Sequence, residues 1–251
     1  MEFSLDAQAH VILGVAALLA GLAKGLAGFG SALVFMPLAS AAVGPVVAGP
    51  IFIVIDCITS FPLARISWAF ADRAAVARIG LVAGIGLPVG IGILVSVDQT
   101  MIRWMISLFC LASVFVLMLG LRVDGRLQRA STFVTGLLSG IFHGIAQIGG
   151  PPVLLLWIAQ GHAKATIRAN ALLYFALLTI ATFIIFVAIG IFSWTSFTYA
   201  LILLPIYAGG LVAGGWLFGR TSDRWFRAAS YALIVGAAIA GLPVLDGLLG
   251  D

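Results

Sequence analysis

The sequence predicts an all-α integral membrane protein built as two inverted repeats, each a glycine-broken hairpin followed by three transmembrane helices. Three observations predict it. Of 251 residues, 63% are hydrophobic and only 9% are charged, against roughly 25% charged in a soluble domain, so too little polar side chain is present to clothe a water-facing surface. The apolar residues fall into eight segments with short polar separators. Two of those segments are over-long, rich in glycine at their middles, and alike in sequence. The composition excludes a soluble globular enzyme, a disordered chain and a nucleic-acid-binding domain. The net charge of +4 comes mostly from arginines between apolar runs and reads as membrane orientation, not as a patch for phosphates.

The segments run about 8–41, 45–64, 76–97, 103–121, 132–159, 169–192, 198–219 and 228–248. At about 20 residues per span they fill the chain as a single membrane domain, 1–251. Helices are the spanning element because backbone groups in hydrocarbon must be satisfied within the segment; the strand alternation of a membrane barrel is missing. Glu2 and Asp6 precede the first lysine, which argues against a cleaved signal peptide. Cys57 and Cys110 lie inside apolar runs without metal-ligand spacing and read as small buried hydrophobes. Trp68, Trp194 and Trp225 flank segments, as interfacial anchors do.

The first and fifth segments align without gaps at an offset of 119 positions. Gly21, Gly25, Ala27 and Gly30 recur as Gly140, Gly144, Ala146 and Gly149, and Lys24 is matched by His143. The third and seventh segments both carry glycines four apart: Gly80 and Gly84, Gly86 and Gly90; Gly210 and Gly214, Gly215 and Gly219. That spacing lets helix backbones approach closely. The repeats then cover 8–121 and 132–248.

Loop charge gives the orientation. If the first and fifth segments each crossed once, the loop lysines and arginines would divide six against six. If each breaks at its glycines and returns to the side it came from, they divide eleven against one, with Arg103 the exception. The positive-inside rule selects the second arrangement, which puts both termini on the periplasmic side of the inner membrane. Each repeat then crosses three times plus one hairpin. Three is odd, so the repeats are inverted, a layout found in many secondary transporters. Gly149-Gly150-Pro151 reads as a turn followed by a new half-helix, with Gly30-Ser31 as its counterpart. Two helix N-termini inside the membrane offer free N–H groups and positive dipole ends to an anion.

Charges within apolar segments are costly, which makes them functional candidates. Lys24, Asp56 and His143 are alone of their kinds deep inside a segment. Lys24 either attracts the anion as a point charge, or snorkels to water, or pairs with Asp56. His143 suits proton-coupled work or bonds a carbonyl at the break. Gln147 donates to an oxyanion or satisfies broken backbone. Asp56 is a coupling candidate as a proton carrier, or it neutralises Lys24. Asn170 and Tyr174 share a helix face, and with Thr179 they line the path or bond between helices; Thr59 and Ser60 carry the same two readings. Backbone N–H groups at Gly30, Ser31, Gly149 and Gly150 complete the expected substrate-binding set with Lys24, His143, Gln147 and Asn170.

Two runs carry a family resemblance: Gly21-Leu22-Ala23-Lys24-Gly25-Leu26-Ala27-Gly28-Phe29-Gly30 with Pro37 following, and Gly140-x-x-x-Gly144-x-x-Gln147-x-Gly149-Gly150-Pro151-Pro152. With the length and hydropathy profile, they make the whole chain resemble the sulfite exporter TauE/SafE family of membrane anion transporters. The resemblance implies export of a small anionic sulfur compound, sulfite or an organosulfonate, with no cofactor; family members have varied roles, so the particular anion stays open. The alternative is a membrane transporter or channel for a different small solute, although a cation path would want more intramembrane acids than Asp56. An intramembrane enzyme would need a nucleophile–base pair, and no Walker loop, zinc cluster or nucleophile elbow is present. A partner-binding subunit with no transport of its own is a further rival. The partners expected are the small anion and the lipid bilayer; the glycine spacing permits a homodimer but serves packing within one chain equally well.

Overall fold

The computed structural model describes residues 7–119, 128–218 and 223–245. Glu2, Asp6, Arg122, Arg126, Gly219 and Arg220 lie outside the described residues, as do the C-terminal ends of both expected repeats; so do the side chains of Arg129, Lys164, Arg224, Trp225 and Arg227. Among the described residues the regular structure is helical throughout: α1 (Ala7–Ala27), α2 (Ser31–Val43), α3 (Pro45–Ser67), α4 (Arg73–Ser96), α5 (Gln99–Leu119), α6 (Gln128–Ala146), α7 (Gly150–Ala159), α8 (Lys164–Ala188), α9 (Trp194–Phe218) and α10 (Asp223–Ala240), with a 3-10 turn at Pro243–Leu245. Six of the ten (α1, α3, α4, α5, α8 and α9) are long and apolar enough to cross a membrane. The over-long first segment is α1 plus α2, and the fifth is α6 plus α7.

Local chemistry explains the breaks. α1 stops where Gly28 and Gly30 take φ of +75° and +90°, a region costing an L side chain about 1–2 kcal/mol. α2 ends at Gly44, whose N–H bonds the Ser40 carbonyl at 3.0 Å, and Pro45 opens α3 at the position where a missing N–H costs nothing. Asp72 caps α4 by accepting from the Ala75 N–H at 3.0 Å.

Two helix pairs are held backbone to backbone. A Cβ added at Gly21 or Gly25 of α1 would strike the Tyr207 or Leu211 carbonyl oxygen of α9, and one at Gly210 or Gly214 would strike the carbonyl of Leu18 or Leu22. The same interlock joins α4 to α6, with Gly86 and Gly90 against Leu137 and Ile141, and Gly140 and Gly144 against Ala83 and Leu87. Residue numbers rise together across both seams, so both pairs are parallel. By contrast Gly80, Gly84 and Gly215 meet nothing within 4 Å. Four-residue spacing alone did not separate a seam from a lipid-facing ridge. α3 and α8 run antiparallel: Gly49 lies against Phe186, and Asp56 against Thr179 seven residues on in one helix and seven back in the other.

The outer faces are apolar. Leu81, Ile85 and Val89 of α4, Phe115 and Met118 of α5, and Val212 and Trp216 of α9 are all exposed, while Lys24, Asp56, His143, Gln147 and Asn170 are buried. That inverts the arrangement of a water-soluble protein and suits a hydrocarbon solvent. Trp194 at the head of α9 is exposed, and Trp68 at the end of α3 lies under the Arg73 guanidinium at 5.5 Å.

The seams make a differential prediction. Gly21→Ala, Gly25→Ala, Gly86→Ala and Gly90→Ala should each destabilise the purified protein by about 1–3 kcal/mol through backbone overpacking. Gly80→Ala and Gly84→Ala should leave it within about 1 kcal/mol of the parent. Thermal unfolding in detergent reads the difference.

Candidate functional site

The two breaks face one another across a cavity of about 40 Å³. One wall is the first turn of α2 with Gly28, Phe29 and Gly30 before it; the other is His143, Gln147, Ile148 and Gly150. α3 adds Phe52, Asp56 and Ser60, and α8 adds Leu172, Phe175 and Thr179. Asp56 stands midway along α3, so the cavity sits level with the middle of that helix. The N-caps of α2 and α7 are Gly30 and Gly149, and neither helix start receives a side-chain cap. The first N–H groups of a helix have no intrahelical acceptor. α2 therefore presents those of Ser31, Ala32 and Leu33, whereas α7 presents that of Gly150 followed by two prolines that have none.

The turns into the two helices match. Gly28 and Gln147 stand 119 positions apart, and both have positive φ, +75° and +61°. Each donates its N–H to the carbonyl four residues back, Lys24 or His143, at 2.7 Å. Gln147 is the one non-glycine residue at positive φ among the described residues, a strained placement that needs support from its surroundings. Its Nε2 donates to the Gly49 carbonyl at 3.1 Å.

Lys24 and Asp56 form an ion pair at 2.6 Å, with side chains 5% and 8% exposed. Lys24 also bonds Ser60 Oγ at 2.5 Å. The other Asp56 oxygen accepts from Ser60 at 3.1 Å and Thr179 at 2.9 Å. The carboxylate is thus held by three donors on three helices, and its charge cancels that of the lysine. The third face of the ammonium lies 5.9 Å over the Tyr207 ring.

His143 is 2% exposed, and neither ring nitrogen has a hydrogen-bond partner. The expected bond to a carbonyl at the break is not made; the imidazole instead stacks on Phe175 at 6.4 Å between centroids, 15° from parallel. Gln147 Oε1 is likewise buried without a partner. Buried polar atoms are nearly always bonded to protein or to something in the space beside them. These lie in the wall of a cavity.

Of the residues expected at the site, Lys24, Gly30, Ser31, Asp56, His143, Gln147 and Gly150 line the cavity, and Gly149 and Asn170 do not. Gly149 faces Ser139, whose hydroxyl donates to its carbonyl and also meets the Tyr174 hydroxyl at 2.7 Å. Asn170 Oδ1 accepts from the Asp72 N–H at 2.7 Å, which fastens the α3–α4 turn to α8. Phe175 and Tyr207 were missed. Each is one aromatic in an apolar run, and only the fold sets it apart. No group of three or more His, Cys, Asp or Glu residues that could hold a metal occurs among the described residues. Cys57 and Cys110 are free thiols.

A family model described as sulfite exporter TauE/SafE matches residues 13–241. The chain belongs to this family. Both cavity walls and nearly all the helices fall within the match. The family's description is that of an exporter, a membrane transporter. Comparison with curated proteins and with solved structures gives no match.

The ion pair predicts an asymmetry in mutants. Lys24→Met or Asp56→Leu alone strands one buried charge and should cost about 3–5 kcal/mol. The double variant Lys24→Met/Asp56→Leu should recover most of that loss. A double-mutant cycle of unfolding free energies in detergent measures the coupling.

Proposed function

We propose that this protein is a secondary transporter that exports a small sulfur oxyanion across the inner membrane, bound near the bilayer midplane between the two broken hairpins. One observation carries the reading: two uncapped helix N-termini and the unpartnered atoms of His143 and Gln147 border the same cavity. Ser31 and its neighbours on α2 hold the anion's oxygens with backbone N–H groups, and Gly150 does so from α7. Lys24, held by Asp56, fixes the floor. Asp56 serves that pairing and not proton carriage, because its carboxylate is already engaged by three donors. At about 10–15 Å³ of such space per water, a 40 Å³ cavity holds about three waters. That favours sulfite over a longer organosulfonate.

Two inverted repeats, 8–121 and 132–248, supply the moving parts. Helices α2 and α7 begin 119 residues apart, as do α3 and α8. The α1–α9 seam is matched by the α6–α4 seam carbonyl for carbonyl. The equivalent helices α3 and α8 run in opposite directions, which agrees with the eleven-to-one charge division and with both termini being periplasmic. Alternating access follows from the two halves rocking about the cavity. In an inside-negative cell an anion gains about 2.3 kcal/mol per charge per 100 mV on leaving, so uniport suffices.

Reconstituted vesicles test the function. Sulfite loaded inside should leave faster in protein-containing vesicles than in empty ones, and faster still with the exit side positive. His143→Leu and Gln147→Gly should each slow efflux about tenfold or more by removing a hydrogen bond to a charged ligand, with folded yield retained. Equal efflux from empty vesicles would refute transport. Accessibility labelling of a cysteine added at the C-terminus should report the periplasm, and a cytoplasmic C-terminus would refute the inverted arrangement.

A further inference from the structure

We infer that the cavity takes its oxyanion as a proton-bearing monoanion of the hydrogensulfite class, and discriminates against the dianion. The inference deepens the proposed function and rests on it. Two independent features of the cavity lead to it.

The first is charge. Lys24 and Asp56 cancel at 2.6 Å. The only carboxylate lining the cavity is committed to that pair, so none is left to hold a proton on His143. What remains positive is the start of α2 and the single N–H of α7, each helix start being equivalent to at most roughly half a charge, and the carboxyl ends of α1 and α6 at the same breaks oppose them. The net is therefore at most about one positive charge. A monoanion is the most that this balances, and a dianion leaves at least about one charge uncompensated beside Leu33, Phe52, Leu172 and Phe175, an environment that penalises it heavily. The charged and titratable groups around the cavity are Lys24 on α1, Asp56 on α3, His143 on α6 and Tyr207 on α9. On α8, the exposed Arg168 side chain comes within 3.0 Å of where a Cβ of Gly28 would be, outside the lining and in reach of solvent screening.

The second is the distribution of donors and acceptors. The α2 wall offers N–H groups and suits deprotonated oxygens. The α6 wall offers Gln147 Oε1, an unsatisfied acceptor, and a neutral imidazole adds one donor and one acceptor. α7 contributes little to redress this, since Pro151 and Pro152 follow Gly150. An acceptor facing a fully deprotonated oxyanion repels it. A proton on the ligand turns that contact into a hydrogen bond. The cavity is therefore polarised, with ligand oxygens toward Ser31–Leu33 and the ligand proton toward Gln147 and His143.

Sulfite and hydrogensulfite interconvert near neutral pH, which allows a direct test by calorimetric titration of the purified full-length protein between about pH 6 and pH 8.5. The three probes are sulfite, methanesulfonate (a monoanion at every pH used) and sulfate (a dianion at every pH used). The expected result is an apparent sulfite affinity that falls about tenfold per pH unit above neutrality, a methanesulfonate affinity that is flat, and sulfate at least tenfold weaker than sulfite at about pH 6. Sulfite affinity that is constant or rises with pH, or sulfate binding as tightly as sulfite at about pH 6, would overturn the monoanion inference and leave the oxyanion site standing. A methanesulfonate affinity falling in parallel with that of sulfite would overturn it too, by assigning the titration to the protein. No binding of sulfite at any pH would overturn both the inference and the proposed function.

Discussion

A helix that stops inside hydrocarbon leaves backbone N–H groups with no water to take them. That constraint shapes the centre of this molecule. Both interruptions are turned inward, so the free N–H groups of α2 and α7 meet protein and a small cavity instead of lipid. The parallel glycine seams make the placement possible. Because α1 lies on α9, and α6 on α4, with no side chain between them, each interruption is clamped by a continuous spanning helix.

The two turns at the centre are alike in backbone, both at positive φ and both bonded four residues back, and differ in chemistry. Counting 119 positions on from Lys24 and Asp56 gives His143 and Phe175. An ion pair in one half thus corresponds to a stacked imidazole and phenyl ring in the other. The turn residues differ in the same way, Gly28 against Gln147. One half supplies a locked, neutralised charge, and the other supplies polar atoms still open to a ligand. Side chains at equivalent places on one backbone thus perform different tasks.

Much of this was legible in the residues. The eight apolar segments and an interruption within the glycine-dense middle of the first and fifth follow from hydropathy and from the backbone needs of glycine and proline; the turn expected at Gly149-Gly150-Pro151 falls earlier, at Gln147–Gly149, with Gly150 already the first residue of α7. The pairing of Lys24 with Asp56 was one of the readings open for both, since each is alone of its kind in apolar surroundings. Other features depend on rotation about a helix axis, which sequence spacing leaves free. Gly80 and Gly84 carry the same spacing as Gly86 and Gly90 yet face outward. Asn170 sits one turn from Tyr174, but the Asn170 Oδ1 and the Tyr174 hydroxyl both make structural bonds and neither residue lines the cavity. His143 lacks the carbonyl bond allowed for it, and its ring lies near-parallel to that of Phe175.

The α1–α9 seam also has a consequence for biogenesis. Tyr207 follows Gly21 by 186 residues. At synthesis rates of about 5–20 residues per second, the partner surface emerges roughly ten to forty seconds after the helix it must grip. During that interval α1 carries an unshielded lysine, until Asp56 arrives, and a bare glycine face for longer. The insertion machinery must therefore keep the first helix near the exit site, shielded from bulk lipid, until the ninth is made. Two halves expressed as separate chains would each hold two unpaired seam faces, α1 and α4 in one and α6 and α9 in the other, until they met.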